Sequence, residues 1–292
     1  MKLRERLESD RRFRYILIAC LAAAVWMGLM GALYVHKFIQ YPSGSLAGQL
    51  PILCYHCVEA PPGSKDFDYL YVEPEEFRRQ IRWLKAEGYR FLTPGEAWEW
   101  QGKADRGEAM DKAVLITFDD GYTDNYTKAF PILKEEGAKA TIFMVAGKIG
   151  ADNRLTEEQL KEMAASGVFT IASHGYWHVD MTAMDEEELI GQLELSRETL
   201  SGLTDQPVNA LAYPLGAWND QMASAAARVF DYGYLATARH LSEETLEAVE
   251  DMAEGEDGAA ASPAALRIPR QGVFGYMDMG DFRFILRQYF AH

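Results

Sequence analysis

Three segments of this 292-residue chain end apolar runs in side chains that bind cations or move protons. "AVLITFDDGYTDNY" places Asp119 and Asp120 after a β-like run and just before a glycine turn. Adjacent carboxylates oppose each other's ionisation, so burying both calls for a cation or strong donors nearby. An isolated Asp-Asp-Gly reads equally well as a turn pair. "FTIASHGYWHVDM" supplies His174 and His178 at the end of a second run. Gly175 and the strand before it favour convergence from a strand end and its turn over one helix face. Two imidazoles and one carboxylate suit Zn²⁺ and leave a coordination place for water. "LAYPLGAWND" is a third strand end, where Pro214 and Gly216 shape a turn whose backbone N–H groups can face a ligand. Alone, it is also an ordinary structural turn.

The elements that must carry these ends alternate. Strand-like runs fall at Pro51 to Cys57, Tyr89 to Leu92, Ala113 to Phe118, Ala140 to Val145, Phe169 to Ser173, Val208 to Tyr213, Tyr234 to Thr237 and Arg267 to Pro269. Helical patterns separate most of them. Pro74 opens "PEEFRRQIRWLKAEG", with Phe77, Ile81 and Leu84 on one face and Gly88 as its stop. "TEEQLKEMAASG" begins with Thr156 and Gln159 in capping-box spacing, and "DEEELIGQLELSRETLSG" repeats the design from Asp185. This alternation predicts an α/β fold with parallel strands, closed as a barrel, with chemistry at the C-terminal strand ends.

Composition limits the partners. The formal net charge is −15, and residues 1–14 hold six basic side chains against three acidic ones, so the body is more acidic still. Such a surface repels nucleic acid. Tyr15 to Val35 is 21 residues without a charge, long enough at ~1.5 Å per residue to cross ~30 Å of hydrocarbon. Arg11, Arg12 and Arg14 precede it. The expectation is a single-pass cell-membrane protein: cytoplasmic tail 1–14, transmembrane helix 15–35, linker 36–49 and an extracytoplasmic domain 50–292. Within that domain, 241–266 reads as an acidic surface insertion with no basic residue.

Taken together and in this order, "TFDDG", "SHGYWH" and "YPLG" resemble the motifs of the polysaccharide deacetylases, carbohydrate esterase family 4 with the NodB homology fold. The resemblance extends in pattern over most of residues 50 to 290. It implies a distorted (β/α)7 barrel and a divalent metal, usually zinc, held by Asp120, His174 and His178. Asp119 becomes the general base, and the Leu215 N–H part of the oxyanion hole. The implied substrate is an N-acetylated polysaccharide, with exopolysaccharide-synthesis machinery as a partner and peptidoglycan as the alternative polymer. An inactive carbohydrate-binding barrel is the alternative of another class. Tyr122, Trp177, Tyr213 and Trp218, beside Tyr176, lie within or next to the motifs as residues for stacking on sugar rings.

Two departures from the family pattern redirect attention. Ala212 and Tyr213 stand where the third motif usually has an arginine, so the group that steadies the base is sought in "LRIPRQG", at Arg267 or Arg270. No C-terminal Leu-x-x-His histidine is evident. "PILCYHCV" answers this: in the subgroup resembling poly-N-acetylglucosamine deacetylases the motifs are circularly permuted, and an N-terminal Tyr-His strand carries the acid, here His56. In an extended strand Cys54 and Cys57 point to opposite faces, which disfavours a disulfide or a shared metal and leaves them as small buried hydrophobes.

Overall fold

The structure, a computed structural model, describes residues 48–63, 67–237 and 263–290. The cytoplasmic tail, the Tyr15–Val35 span and nearly all of the linker lie outside these residues, as do 241–262 of the acidic insertion. Among the described residues no helix is long and apolar enough to cross a membrane. The membrane-anchored, extracytoplasmic localisation expected from the sequence is therefore withdrawn.

Eight parallel strands alternate with helices. In chain order they are β1 (Ile52–Tyr55), α1 (Pro74–Ala86), β2 (Arg90–Phe91), α2 (Pro94–Asp105), β3 (Ala113–Asp120), α3 (Phe130–Glu136), β4 (Ala140–Met144), α4 (Glu157–Ala165), β5 (Phe169–Ser173), α5 (Glu186–Thr204), β6 (Ala210–Ala212), α6 (Asp220–Ala226), β7 (Tyr232–Thr237), β8 (Ile268–Gly272) and α7 (Met279–Tyr289). The pairing runs β1-β8-β7-β6-β5-β4-β3, and β3 returns to β1, closing a seven-stranded ring. β2 pairs only with Ala113 and Val114 at the start of β3 and stands outside it. The sequence had eight strand runs but no means of telling this short appended pair from a ring strand.

Local chemistry sets each element. Pro74 occupies the first turn of α1, and Phe77, Ile81 and Leu84 are completely buried on its inner face. Thr93 with Glu96, Thr156 with Gln159 and Asp278 with Asp281 form capping boxes that begin α2, α4 and α7, each worth about 1 kcal/mol per cap. The Asp185 side chain accepts from Glu188 N at the start of α5.

Strand alternation then sorts the side chains into two cores. Tyr55 and Phe118 face the helices, stacking at 5.5 Å and meeting Phe77 edge-on. Ile52, Leu115, Phe143, Ala172, Ala210, Ala212 and Tyr234 fill the barrel interior, with Ile268 packed against them. The register Ile52↔Leu115 and Cys54↔Thr117 puts Cys54 and Thr117 one layer above that plug. Cys54↔Gly272 places Arg270 on the same inward parity. Two residues further along each strand the same parity delivers Asp119, His56 and His174 to the C-terminal mouth.

Candidate active site

Asp119 and Arg270 form the deepest part of the site. The guanidinium donates from Nη1 to Oδ1 at 2.7 Å and from Nη2 to Oδ2 at 2.8 Å, a two-pronged pair between strands on opposite parts of the chain. Its Nε donates to Leu235 O at 2.8 Å and Nη1 reaches Thr117 Oγ1 at 3.2 Å, while its plane lies over the Phe143 ring. Asp119 and Arg270 are 4% and 3% exposed. Burial alone would push the Asp119 carboxyl up; the Arg270 charge, then His174, the Arg270 hydrogen bonds and His56 more than offset it, holding the group well below the usual carboxylate range. Of the two arginines considered, Arg270 therefore faces Asp119. Arg267 turns elsewhere, donating to Asp220 at 2.6 Å and lying over Trp218.

The next residue turns away. Asp120 has φ 73° and Gly121 also 73°, a left-handed pair that aims the second carboxylate toward the β5 loop instead of continuing the strand. His178 Nε2 lies 3.3 Å and His174 Nε2 3.7 Å from Asp120 Oδ1. One donor atom from each of the three lies within 4.8 Å of the others. His174 Nδ1 is 2.8 Å from Ala212 O. Donating there fixes the tautomer and leaves Nε2 with its lone pair toward Asp120. Burial, the largest influence, and neighbouring His178 hold the His174 imidazole below its ordinary value despite the two aspartates and the Ala212 bond. That shift favours the neutral imidazole, the form in which a histidine binds a metal. A carboxylate and two imidazoles with free donor atoms fit a divalent cation, and the set is the N/O mixture that suits zinc.

His56 follows β1 at the same mouth. One of its ring nitrogens, Cys54 Sγ and an Asp119 oxygen lie within 4.8 Å of one another. Its Nδ1 is buried without a hydrogen-bond partner among the described residues. Burial is the main reason its pKa is lowered; Asp119 and Asp120 oppose the shift and Arg270 and His174 add to it. Cys54 and Cys57 are both free and buried. Cys54 does more than fill space, for its thiol lies 3.5 Å from Asp119 Oδ2 as a weak donor, and burial keeps it protonated.

The remaining expected residues separate. Leu215 lies in the Pro214–Gly216 turn with φ 59° and its side chain 60% exposed. Such a backbone is rare for a bulky residue and stores ~1–2 kcal/mol. Pro214 Cγ would sit 3.3 Å from a Cβ on Gly175, so this turn packs against the histidine loop. Trp177 is 43% exposed at the rim. Tyr122 is half-buried under the Arg154 guanidinium, 3.9 Å from its ring centroid, and Trp218 is half-buried under Arg267. Tyr213 is corrected: it is buried, its hydroxyl donates to Leu266 O at 2.9 Å, and it has no surface left for a sugar.

Two supporting residues were not singled out from the sequence. Asn125 Nδ2 donates to His56 O at 2.8 Å, and Asp124 Oδ1 accepts from Val58 N at 2.6 Å. Both are buried and tie the His56 segment to the five-residue π-turn Asn125–Ala129. A polar pair so soon after "FDDG" was the available signal.

The parallel seven-stranded α/β barrel carries this carboxylate–imidazole cluster at its mouth, and residues 106–235 match the family model described as polysaccharide deacetylase. The chain carries that match over less than half of its length. It is similar to the Bacillus subtilis protein YxkH, whose name assigns it to the polysaccharide deacetylases, at 38% identity over 180 residues, 62% of this chain and 61% of that protein. It is similar also to the poly-beta-1,6-N-acetyl-D-glucosamine N-deacetylase of Staphylococcus epidermidis, at 31% over 189 residues, 59% of this chain and 63% of the relative. The matches thus span about three fifths of the length of these curated relatives. Among solved structures, the Streptococcus pyogenes deacetylase PplD in complex with acetate superposes with a TM-score of 0.67 at 28% identity, covering 82% of this chain and 98% of that one. IcaB from Ammonifex degensii shares the fold, with a TM-score of 0.64 at 24% identity over 83% and 97% of the two chains.

Proposed function

We propose that this chain is a metal-dependent polysaccharide de-N-acetylase that hydrolyses the acetamide of N-acetylglucosamine units, with a polymer of the poly-β-1,6-linked kind as its substrate. The observation that carries the reading is the division of labour between neighbouring carboxylates. Asp119 is held ionised by Arg270, while Asp120 turns out to two imidazoles. The named activity of the staphylococcal relatives supports the choice of polymer.

Asp120, His174 and His178 would hold a divalent cation, zinc by the donor set, which would supply Lewis-acid polarisation of a carbonyl and acidify a water. The protein's own groups do the rest. Asp119 accepts the proton of the attacking water, and Arg270 keeps that carboxylate ionised and oriented between turnovers. The Leu215 N–H donates to the oxyanion, a contribution of ~3 kcal/mol for one such donor. His56 delivers a proton to the departing sugar nitrogen. Trp177, at the rim, stacks on the sugar face. Acetate and a free amine are the products, with no acyl-enzyme.

The test uses the full chain with acetate release as the readout, from β-1,6-linked N-acetylglucosamine oligomers beside peptidoglycan fragments, with and without chelator. Release from the oligomers that chelator abolishes and Asp119→Asn lowers by at least about 10³-fold is expected. Chelator-insensitive release, or an unimpaired Asp119→Asn, rejects the scheme; faster release from peptidoglycan fragments moves the substrate assignment to that polymer.

A further inference from the structure

One buried polar chain is not used by the chemistry above. Ser173, the last residue of β5, alternates with Ala172 and His174 and so faces α5 instead of the barrel. There its Oγ lies 2.7 Å from Ser196 Oγ, and both residues are completely buried. Ser196 Oγ is also 2.8 Å from Leu193 O, and Gly175 N–H donates to Ser173 Oγ at 3.0 Å.

Proton accounting fixes the direction. A carbonyl only accepts, so the single Ser196 hydroxyl proton goes to Leu193 O, and Ser173 must donate to Ser196 Oγ. Ser173 is then left as the acceptor for Gly175 N–H. The result is a one-way chain from Gly175 through Ser173 and Ser196 to the helix backbone, each bond polarising the next. It starts from the residue between the two histidines at which the loop turns. Gly175 has φ 75°, and its carbonyl accepts from Ala146 N at 3.1 Å, so the chain supplies the other half of its restraint. His174 is separately held through its own N–H to Met144 O and Nδ1 to Ala212 O. His178 is reached only after the chain has passed Gly175 and then Tyr176, whose carbonyl accepts from Gly147 N at 2.8 Å, so its direction depends on the setting of that turn together with this second tether.

Packing gives no reason for two hydroxyls here. A buried hydroxyl costs about 1–3 kcal/mol unless its bonds are made, and here Ser173 and Ser196 make theirs along a line that reaches Gly175 N–H. We propose that Ser196 is a positioning residue for the cation cluster, acting through Ser173 and Gly175 to aim His178 at Asp120. This rests on the reading of Asp120, His174 and His178 as metal ligands.

The experiment measures Zn²⁺ dissociation constants by competition with a chromophoric chelator, and Co²⁺ absorption spectra, on the metal-free full-length chain and on Ser196→Ala, Ser196→Cys and His178→Ala. Loss of an outer partner of a metal ligand weakens binding about 10- to 100-fold. Ser196→Ala is expected in that range with an altered Co²⁺ spectrum, and Ser196→Cys, which keeps the volume and a weaker acceptor, in between. A purely packing role for Ser196 predicts a lower urea midpoint for the metal-free protein and an unchanged dissociation constant. That result, for Ser196→Ala or, should it not fold, for Ser196→Cys, overturns the inference. Weak parent binding that His178→Ala does not change rejects the ligand assignment itself and not merely the role of Ser196.

Discussion

Replacing Arg270 with methionine tests the electrostatic centre of the site. The side chain keeps its apolar stem but loses four hydrogen bonds, two of them to Asp119 at 2.7 and 2.8 Å. Charge-assisted bonds contribute about 1.5–3 kcal/mol each, and stranding one member of a buried pair costs about 3–5 kcal/mol. A loss near 4 kcal/mol is expected in urea unfolding at pH 7 in the presence of chelator, a large part of the ~5–15 kcal/mol typical of a domain. The double variant Asp119→Asn/Arg270→Met carries no stranded charge and should be more stable than the sum of the singles by about 2–3 kcal/mol. The pH dependence has a definite sign. In the parent, Asp119 is depressed in the folded state, so its contribution is complete above the unfolded value of ~3.9 and fades as pH falls toward the folded value. In the variant, burial without its cation raises Asp119, a penalty present at neutral pH and relieved as pH falls through the raised value. Both effects narrow the gap between the proteins on going from pH 7 to pH 4 and below. Additive singles, or a gap that widens with acid, would refute the reasoning.

Other substitutions probe the rim and the acid. His56→Ala should slow amide cleavage far more than cleavage of an activated ester, whose leaving group needs no proton; equal losses in the two steady-state rates count against the acid role. Gly147→Ala would bring a Cβ within 2.7 Å of Tyr176 O and 2.8 Å of the Trp177 ring, displacing the loop that carries His178. Zn²⁺ affinity, read by chelator competition, should fall at least about 10-fold. Leu215→Gly keeps the N–H and removes the side chain that resists φ 59°. A melting temperature raised by about 2 °C with acetate release within about twofold of the parent is expected, and a large activity loss would point to a role for the leucine side chain itself.

Strand ends were the legible part of this molecule. Asp119, Asp120 and His174 stand at the ends of apolar runs and His178 in the loop that follows, so alternation and the barrel rule pointed to strand ends, and the structure brings Asp120, His174 and His178 together there. The Phe169–Ser173 strand was read to the residue, and Thr156 and Gln159 form the capping box that their spacing suggested. Choosing between Arg267 and Arg270 needed register, because the two have opposite parity and only the pairing Cys54↔Gly272 says which parity faces inward. Tyr213 was misread for a related reason: an aromatic just past a strand end can face either way, and here Leu266 O captures its hydroxyl. Asn125 was hidden by its π-turn, which breaks helical periodicity just where a buried side chain holds His56.

The pairing of Asp119 with Arg270 joins residues 151 positions apart, and β8, which brings the arginine, is also the strand that closes the ring against β1. During synthesis, β3 with its two acids leaves the ribosome long before their counter-charge exists. A nascent or prematurely terminated product lacking β8 would carry an unneutralised acidic pair in an open sheet. Addition of β8 and neutralisation of Asp119 are in this way a single event.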